Sequence, residues 1–350
     1  MQEIWAVIER LRLDERSIAL ATVIRVEGSS LRPVGSKMAV TSAGDIAGSV
    51  TGGCVEGAIY DEAQTVIQTG QPKRLGYGIS DTTAWSVGLA CGGSIQVFVE
   101  SLAAAPWLTL EATIRNCLED QQLVALVTVV AGPGLGSKLL LWPDGRQDGD
   151  LGSAVLNAQA AASAVRCWVT HSPVLVTGTG ELSEVEYFID VLPPSPRLVI
   201  IGAVHIAIPL ITIAKAMNFR TIVIDPRSAF ATRERFPHAD ELIVEWPSGA
   251  LEELRPDAAT YVVCLSHDDK LDNPALQVAV TSSARYVGAL GSRKTHANRL
   301  VALREIGIAE ESLARIHAPI GLNLGARYPE EIALAIMAEI IAEQHGVSMK

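Results

Sequence analysis

The first half of the chain contains one sequence pattern twice. Each copy has an apolar run, then Gly-Ser-Lys, then two glycines at fixed offsets: residues 35–37, 44 and 48 in the first copy, and residues 136–138, 145 and 149 in the second. Where the first copy continues with Gly53-Cys54, the second has Ala154-Val155. Residues that the fold requires are expected in both copies. A feature present in one copy alone is better explained by chemistry or ligand contact. The cysteine loop of the first copy is therefore the best indicator of function.

Apolar periodicity and turn residues predict an N-terminal α+β domain, residues 1–191, made of two related halves, about 18–100 and 123–191. The predicted strands are 18–26, 37–41, 46–50, 95–100, 123–130, 138–142 and 185–191, and the predicted helices are 3–12, 55–68, 107–121 and 153–165.

A proline-rich linker is predicted at 192–196. Beyond it, predicted strands and helices alternate along the chain. Strands are predicted at 197–201, 221–225, 241–244, 261–265 and 286–289, with helices at 204–217, 248–254, 272–283, 293–306 and from 329 onward. Such alternation predicts a C-terminal α/β domain, residues 197–350: a Rossmann-like parallel sheet with helices on both faces.

Composition narrows the class of protein. Of the 350 residues, 49% are hydrophobic and the net charge is −11, which predicts a large core and argues against non-specific nucleic-acid binding. The five cysteines form no CxxC pair, so neither a zinc module nor a disulfide framework is indicated. The N-terminal residues do not resemble a signal peptide, and the apolar run 198–214 is better explained by a strand and a helix than by a membrane span. A cytoplasmic location is expected.

The segment Thr51-Gly52-Gly53-Cys54-Val55-Glu56 places a thiol at the start of a predicted helix. Backbone N–H groups and the helix dipole favour an anion there and lower the pKa of a thiol. The alternative is a small buried cysteine in a tight turn. Arg32 and Lys37 could supply positive charge to an anionic ligand, or belong to a solvated loop, and the recurrence of lysine in the second copy makes Lys37 partly a scaffold signal. Cys91 offers a second thiol beside Gly92-Gly93.

Two features of the C-terminal half bear on nucleotide binding. Gly202 follows the first strand, but Val204 replaces the middle glycine of a dinucleotide fingerprint, which argues against NAD(P). Asp225 ends the second strand, where an acid could bind a ribose hydroxyl.

Two further loops follow predicted parallel strands, where such sheets bind ligands. His267 with Asp268 or Asp269 could act as an acid–base group or bind a metal, or the turn could simply cap the next helix. Gly291, Ser292 and Arg293 form a possible phosphate pocket at a helix start, or a capped and solvated basic turn.

Taken together these strings resemble the xanthine dehydrogenase accessory proteins, the XdhC/CoxI family. The resemblance rests on several strings in order: 28–35, 48–57 and 91–93 in the first half, and 225–227, 267–268, 288–294, 318–322 and 329–333 in the second. Members usually have Gly-x-Gly-His where this chain has Gly202-Ala203-Val204-His205, so Val204 leaves a nucleotide or pterin pyrophosphate contact at this loop in question.

The resemblance implies an accessory protein rather than an enzyme. It would bind molybdenum cofactor and support its sulfuration and insertion into an apo-molybdoenzyme of the xanthine dehydrogenase class. On this hypothesis Cys54, with Cys91 as a possible second thiol, lies near the metal or its sulfur, and Ser292 and Arg293 hold the phosphate of the pterin. The resemblance leaves open a cysteine desulfurase as a second partner and a homodimer. An NAD(P)-dependent oxidoreductase using His267, and a scaffold protein without a small ligand, are the alternatives.

Overall fold

The structure is a computed structural model that describes residues 2–13, 17–30, 32–78 and 93–347. Its chain divides into two compact units, one ending at Pro194 and the other beginning at Ser195.

The first half of the N-terminal unit is a five-stranded antiparallel sheet in the order β3-β2-β1-β5-β4. Its elements are α1 (Gln2–Leu13), β1 (Ile18–Glu27), β2 (Lys37–Thr41), β3 (Ile46–Gly48), α2 (Glu56–Thr69), β4 (Lys73–Tyr77) and β5 (Ser94–Ser101). One face of the sheet packs on α2 through small and β-branched side chains such as Ala21, Ile59 and Val97.

The second half repeats this arrangement in the order β8-β7-β6-β10-β9. Its elements are α3 (Ala105–Glu119), β6 (Val124–Ala131), β7 (Lys138–Leu141), β8 (Gln147–Asp150), α4 (Ala154–Thr170), β9 (Val174–Thr177) and β10 (Glu186–Leu192). The predicted duplication is therefore confirmed. The edge strands β4 and β9 were not predicted, because their side chains are half-buried or exposed and show no clear apolar alternation.

Two ion pairs cross between the halves. The ammonium of Lys37 on β2 lies 2.7 Å from a carboxylate oxygen of Asp190 on β10, and the ammonium of Lys138 on β7 lies 2.7 Å from Glu100 on β5. The two lysines are equivalent in the repeat, and so are the two acids, since Glu100 pairs with Leu20 on β1 and Asp190 with Leu126 on β6. Each half thus supplies a cation to one pair and an anion to the other.

The second unit contains a six-stranded parallel sheet in the order β13-β12-β11-β14-β15-β16. Its elements are β11 (Arg197–Ile201), α5 (Ala207–Ala216), β12 (Arg220–Ile224), β13 (Glu241–Ile243), α6 (Pro247–Leu254), β14 (Thr260–Cys264), α7 (Asp269–Thr281), β15 (Tyr286–Ala289), α8 (Arg293–Glu305), α9 (Glu310–Leu313), β16 (Ile316–His317) and α10 (Pro329–Gln344).

Helices cover both faces of this sheet, as predicted. Side chains of α5 and α10 pack on one face, including Leu210 and Ile336, and those of α6 to α9 pack on the other, including Leu251 and Leu276. The apolar run 198–214 is divided between β11 and α5. Among the described residues no helix is both long and apolar enough to cross a membrane.

Candidate functional site

The carboxylate of Glu56, the first residue of α2, is the centre of the cysteine loop. It accepts hydrogen bonds from the hydroxyls of Ser49 and Thr51 at 2.7 and 2.6 Å. It also accepts from five backbone N–H groups, at 2.8 to 3.3 Å, belonging to residues 50, 51, 52, 53 and 55. The loop therefore closes on an anion that the chain itself supplies.

These contacts determine the ionisation of Glu56. Burial raises its pKa, but the hydrogen bonds from Thr51 and Ser49 and from the loop backbone favour the charged form more strongly, and the pKa falls to about 2. Glu56 is therefore ionised at neutral pH. It takes the anion position that the start of a helix offers, and so Gly52 and Gly53 direct their N–H groups to this carboxylate.

The second copy has a weaker version of the same arrangement. Asn157 stands at the position of Glu56, and its amide oxygen accepts one backbone N–H, from Leu151 at 3.0 Å. Its amide nitrogen donates to Asp150 at 3.0 Å. The two copies therefore differ in the number of hydrogen bonds that fix the loop as well as in the thiol. The loop with more hydrogen bonds is the one that carries Cys54.

Cys54 is half-buried, whereas the other free cysteines that the structure describes, Cys117, Cys167 and Cys264, are buried. Its N–H donates to the hydroxyl of Thr51 at 3.2 Å, and its side chain packs beside the core formed by α2 and the first sheet. Burial raises the pKa of each of the three buried thiols, which makes them poor nucleophiles and poor ligands. Cys54 is thus the reachable thiol among these four.

The other predicted site residues of the N-terminal unit are Lys37, Arg32 and Cys91. Lys37 is buried against Asp190 and belongs to the scaffold, so its charge is not directed at a ligand. The backbone N–H and carbonyl of Arg32 close a short turn on the Ser30 hydroxyl. Cys91 lies outside the described residues.

The glycine loop of the second unit is shaped by packing. A side chain at Gly202, whose φ is 103°, would bring its Cβ within 2.8 Å of the Ser266 backbone. Glycine is therefore required for the loops after β11 and β14 to approach each other. His205 is exposed in the turn before α5, which begins at Ala207 and not at residue 204 as predicted.

Asp225 is fully buried and already occupied. Its two oxygens accept hydrogen bonds from the N–H of Ala203 at 2.8 Å and from three N–H groups of Arg227, at 2.7 to 2.9 Å. Burial raises its pKa, but the bonds from Arg227 and Ala203 outweigh this effect and lower it. Because Asp225 is fully buried and these four donors surround its carboxylate, it is not placed to receive a ribose hydroxyl. This geometry argues against the nicotinamide-dependent alternative.

The loop after β14 is a helix cap. Asp268 is the N-cap of α7 and accepts from the N–H of Lys270 at 3.0 Å. His267 is exposed and has a φ of 59°, the left-handed conformation of a tight turn. No cluster of three or more metal-ligating side chains occurs in the described part of the chain. Neither His267 nor Cys54 therefore belongs to such a cluster there.

The loop after β15 combines a cap with basic side chains. The Ser292 hydroxyl accepts from the N–H of Thr295 at 3.1 Å and caps α8, and Gly291 has a φ of 140°. Arg293 is exposed at the first position of the helix.

Below this loop lies an ion pair that the sequence did not reveal. Arg299 contacts Asp272 at 3.5 Å, and the other oxygen of Asp272 accepts from the Ser266 hydroxyl at 2.6 Å. In a sequence, a buried arginine on a polar helix looks the same as a solvated one. The sequence therefore gives no indication that Arg299 is buried and paired with Asp272.

The comparisons with known proteins agree with this architecture. Residues 198–340 match the family domain described as the XdhC Rossmann domain, and residues 11–78 match the domain described as XdhC and CoxI family. The chain belongs to the XdhC/CoxI family.

Full-length relatives have related names. The chain is 28% identical to a Bacillus subtilis protein described as a probable xanthine dehydrogenase subunit, over the whole length of both. It is also 28% identical to the Escherichia coli molybdenum cofactor insertion chaperone PaoD, over 93% of this chain and 83% of that one.

A solved structure shares the fold. A Bacillus halodurans protein described as a xanthine dehydrogenase superposes with a TM-score of 0.80 at 26% identity, over 100% of this chain and 97% of that one.

Proposed function

We propose that this protein is a maturation factor that binds molybdenum cofactor as its cargo. It would support sulfuration of the cofactor and its insertion into an apo-molybdoenzyme of the xanthine dehydrogenase class. The single observation that carries the proposal is the Glu56-clamped loop, which one copy of the duplicated unit has in full and which holds a half-buried thiol. Family membership and the name of the E. coli relative supply the identity of the cargo.

The chemistry of the loop fits such a cargo. A thiolate is a soft ligand, suited to molybdenum and its sulfur. The loop N–H groups are directed at Glu56, so the loop offers sulfur and not an oxyanion cradle. Cys54 would therefore be the donor, and Glu56 would fix its position without touching the cargo.

The proposal makes the protein a binding factor and not an enzyme. We expect it to act in the cytoplasm, where the thiol stays reduced, with an apo-molybdoenzyme as its partner. A cysteine desulfurase is the proposed source of sulfur. The burial of Asp225 against Arg227 and Ala203 argues against a nicotinamide-dependent oxidoreductase.

Reconstitution of a client enzyme tests this function. Apo-enzyme of the xanthine dehydrogenase class, mixed with isolated molybdenum cofactor, is expected to gain activity faster and to a higher level when the protein is present, because bound cofactor is protected and handed on. NADH oxidation by the protein alone is expected to be absent. Equal activation with and without the protein would refute the proposal, and NADH turnover would favour the oxidoreductase alternative.

A further inference from the structure

We propose that the outward face of α4 is an interface between two copies of this chain, in which the two α4 helices pack against each other in antiparallel orientation. The proposal goes beyond the thiol loop, and it assigns a surface to the homodimer that the sequence left open. It concerns the N-terminal unit by itself.

The outward face of α4 is an exposed apolar seam. Val155, Val165 and Val169 are 61%, 61% and 85% exposed, and Ala158 and Ala162 are exposed as well. Their spacing of three and four residues is that of the a and d positions of a heptad repeat, which lie along one stripe of a helix. The buried residues of α4 lie on the opposite side of the helix, against its own sheet. The seam therefore takes no part in the core of the unit.

The equivalent helix of the first copy shows that the fold does not require this seam. Aligning Asn157 with Glu56 brings the buried positions of α4 and α2 into register. The seam positions 158, 162, 165 and 169 then correspond to a glycine and three polar residues of α2: Gly57, Asp61, Gln64 and Gln68. Helix α2 has three acidic residues, whereas Arg166 is the one charged residue of α4. The exposed apolar seam thus indicates a contact that the first copy does not make.

The lack of charge favours a second copy as the occupant. In a contact related by a twofold axis, side chains near the axis face their own copies, so a charge there would meet a like charge. The net charge of −11 makes two copies repel through the rest of their surfaces, and an acid-free face avoids this repulsion. A different protein is usually guided by complementary charges, and a membrane surface requires a helix rich in basic residues. Helix α4 offers Arg166 alone.

The seam also fits its own antiparallel copy. With the twofold axis between residues 162 and 165, Ala162 lies opposite Val165 of the second copy, and Ala158 lies opposite Val169 of the second copy. Each layer then joins one small and one larger side chain, which lets the helices approach closely and fills the space between them. Arg166 flanks the seam at an e position, where its charge stays in water.

The size of the seam sets the strength of the contact. Between residues 155 and 169 the seam is roughly 20 Å long and about 10 Å wide. A stable complex buries about 800 Å² on each partner, which is far more than this seam offers. The dimer is therefore expected to be weak and reversible, with a dissociation constant on the order of 10–100 µM.

Sedimentation of the full-length protein over a concentration range that spans this constant tests the interface. The mass of the wild type is expected to rise from one chain toward two. Val165→Asp brings two carboxylates together across the axis and should weaken association by about tenfold or more, and Val169→Asp should act in the same direction. Gln68→Asp is the matched control, because it makes the same change at the equivalent position of α2. Association of that variant should stay within about twofold of the wild type.

Two results would overturn the interface: a wild type that stays monomeric over the whole range, or association that both valine variants leave unchanged. A monomeric wild type together with slower activation of apo-enzyme by Val165→Asp would assign the face to the client enzyme instead. Both valines are exposed, so the variants are expected to fold, and far-ultraviolet circular dichroism checks this. Should one variant fail to fold, the other decides the question. Failure here is distinguishable from failure of the proposed function, since sedimentation is measured without cofactor.

Discussion

Replacing Lys138 by methionine is expected to destabilise the N-terminal unit by about 3–5 kcal/mol, the largest effect that we anticipate for any single change. The Lys138 ammonium is fully buried, contacts Glu100 and donates to the Thr128 hydroxyl at 3.0 Å. It also lies 4.6 Å from the centre of the Trp107 ring. Methionine would preserve most of the volume but leave the Glu100 carboxylate buried without its partner, and that uncompensated charge is the cause of the loss.

Urea denaturation followed by tryptophan fluorescence measures this effect, because Trp107, one of the six tryptophans, lies beside Lys138. Lys73→Met is the matched control: Lys73 pairs with Glu62 at the surface, and its loss should cost within about 1 kcal/mol. Adding Glu100→Gln to Lys138→Met should recover part of the stability. A Lys138→Met protein as stable as the Lys73→Met control would show that the crossed ion pairs do not hold the two halves together.

Replacing Glu56 by glutamine is expected to loosen the cysteine loop and to change how stability depends on pH. Glutamine can accept at one terminal atom only, so about half of the seven donors around Glu56 lose an acceptor. The pKa of Glu56 is about 2 in the folded protein against an ordinary 4.5. Allowing for solvent screening, that difference corresponds to roughly 2 kcal/mol of stability at neutral pH.

The sign of the pH dependence follows from the depressed pKa. Because the folded protein holds the charged form more tightly than the unfolded chain, the contribution of Glu56 is complete above pH 4.5 and is lost as the pH falls toward 2. The difference in unfolding free energy between wild type and Glu56→Gln should therefore shrink between about pH 6 and pH 3. Glu62→Gln, on the same helix, controls for the substitution. A difference that stays constant over this range would contradict the clamp.

Much of the fold could be predicted from sequence because its signals are local. The duplicated Gly-Ser-Lys spacing predicted two equivalent sheets, and the alternation of strands and helices beyond residue 196 predicted the parallel sheet. The edge strand Lys73–Tyr77 escaped detection because pairing with β5, and not apolar burial, makes it a strand.

The candidate sites were less predictable because the partners of their charged groups are set by tertiary structure. Lys37 looked available to a ligand until the fold placed Asp190, more than 150 residues later, against it. Asp225 looked like a ribose acceptor, but Ala203 comes to it from another loop. Glu56 is the opposite case, since its donors lie within seven residues of it. The glycines and hydroxyls of 49–53 could have indicated a carboxylate clamp from sequence alone.

In the proposed function the clamped thiol of Cys54 binds the molybdenum cofactor. The most direct test of this binding is the molybdenum content of the protein after incubation with isolated cofactor and gel filtration, compared among wild type, Cys54→Ser and the buried-thiol control Cys117→Ser. We predict retention by wild type and Cys117→Ser, and its loss in Cys54→Ser. Retention by Cys54→Ser equal to that of wild type would contradict the account.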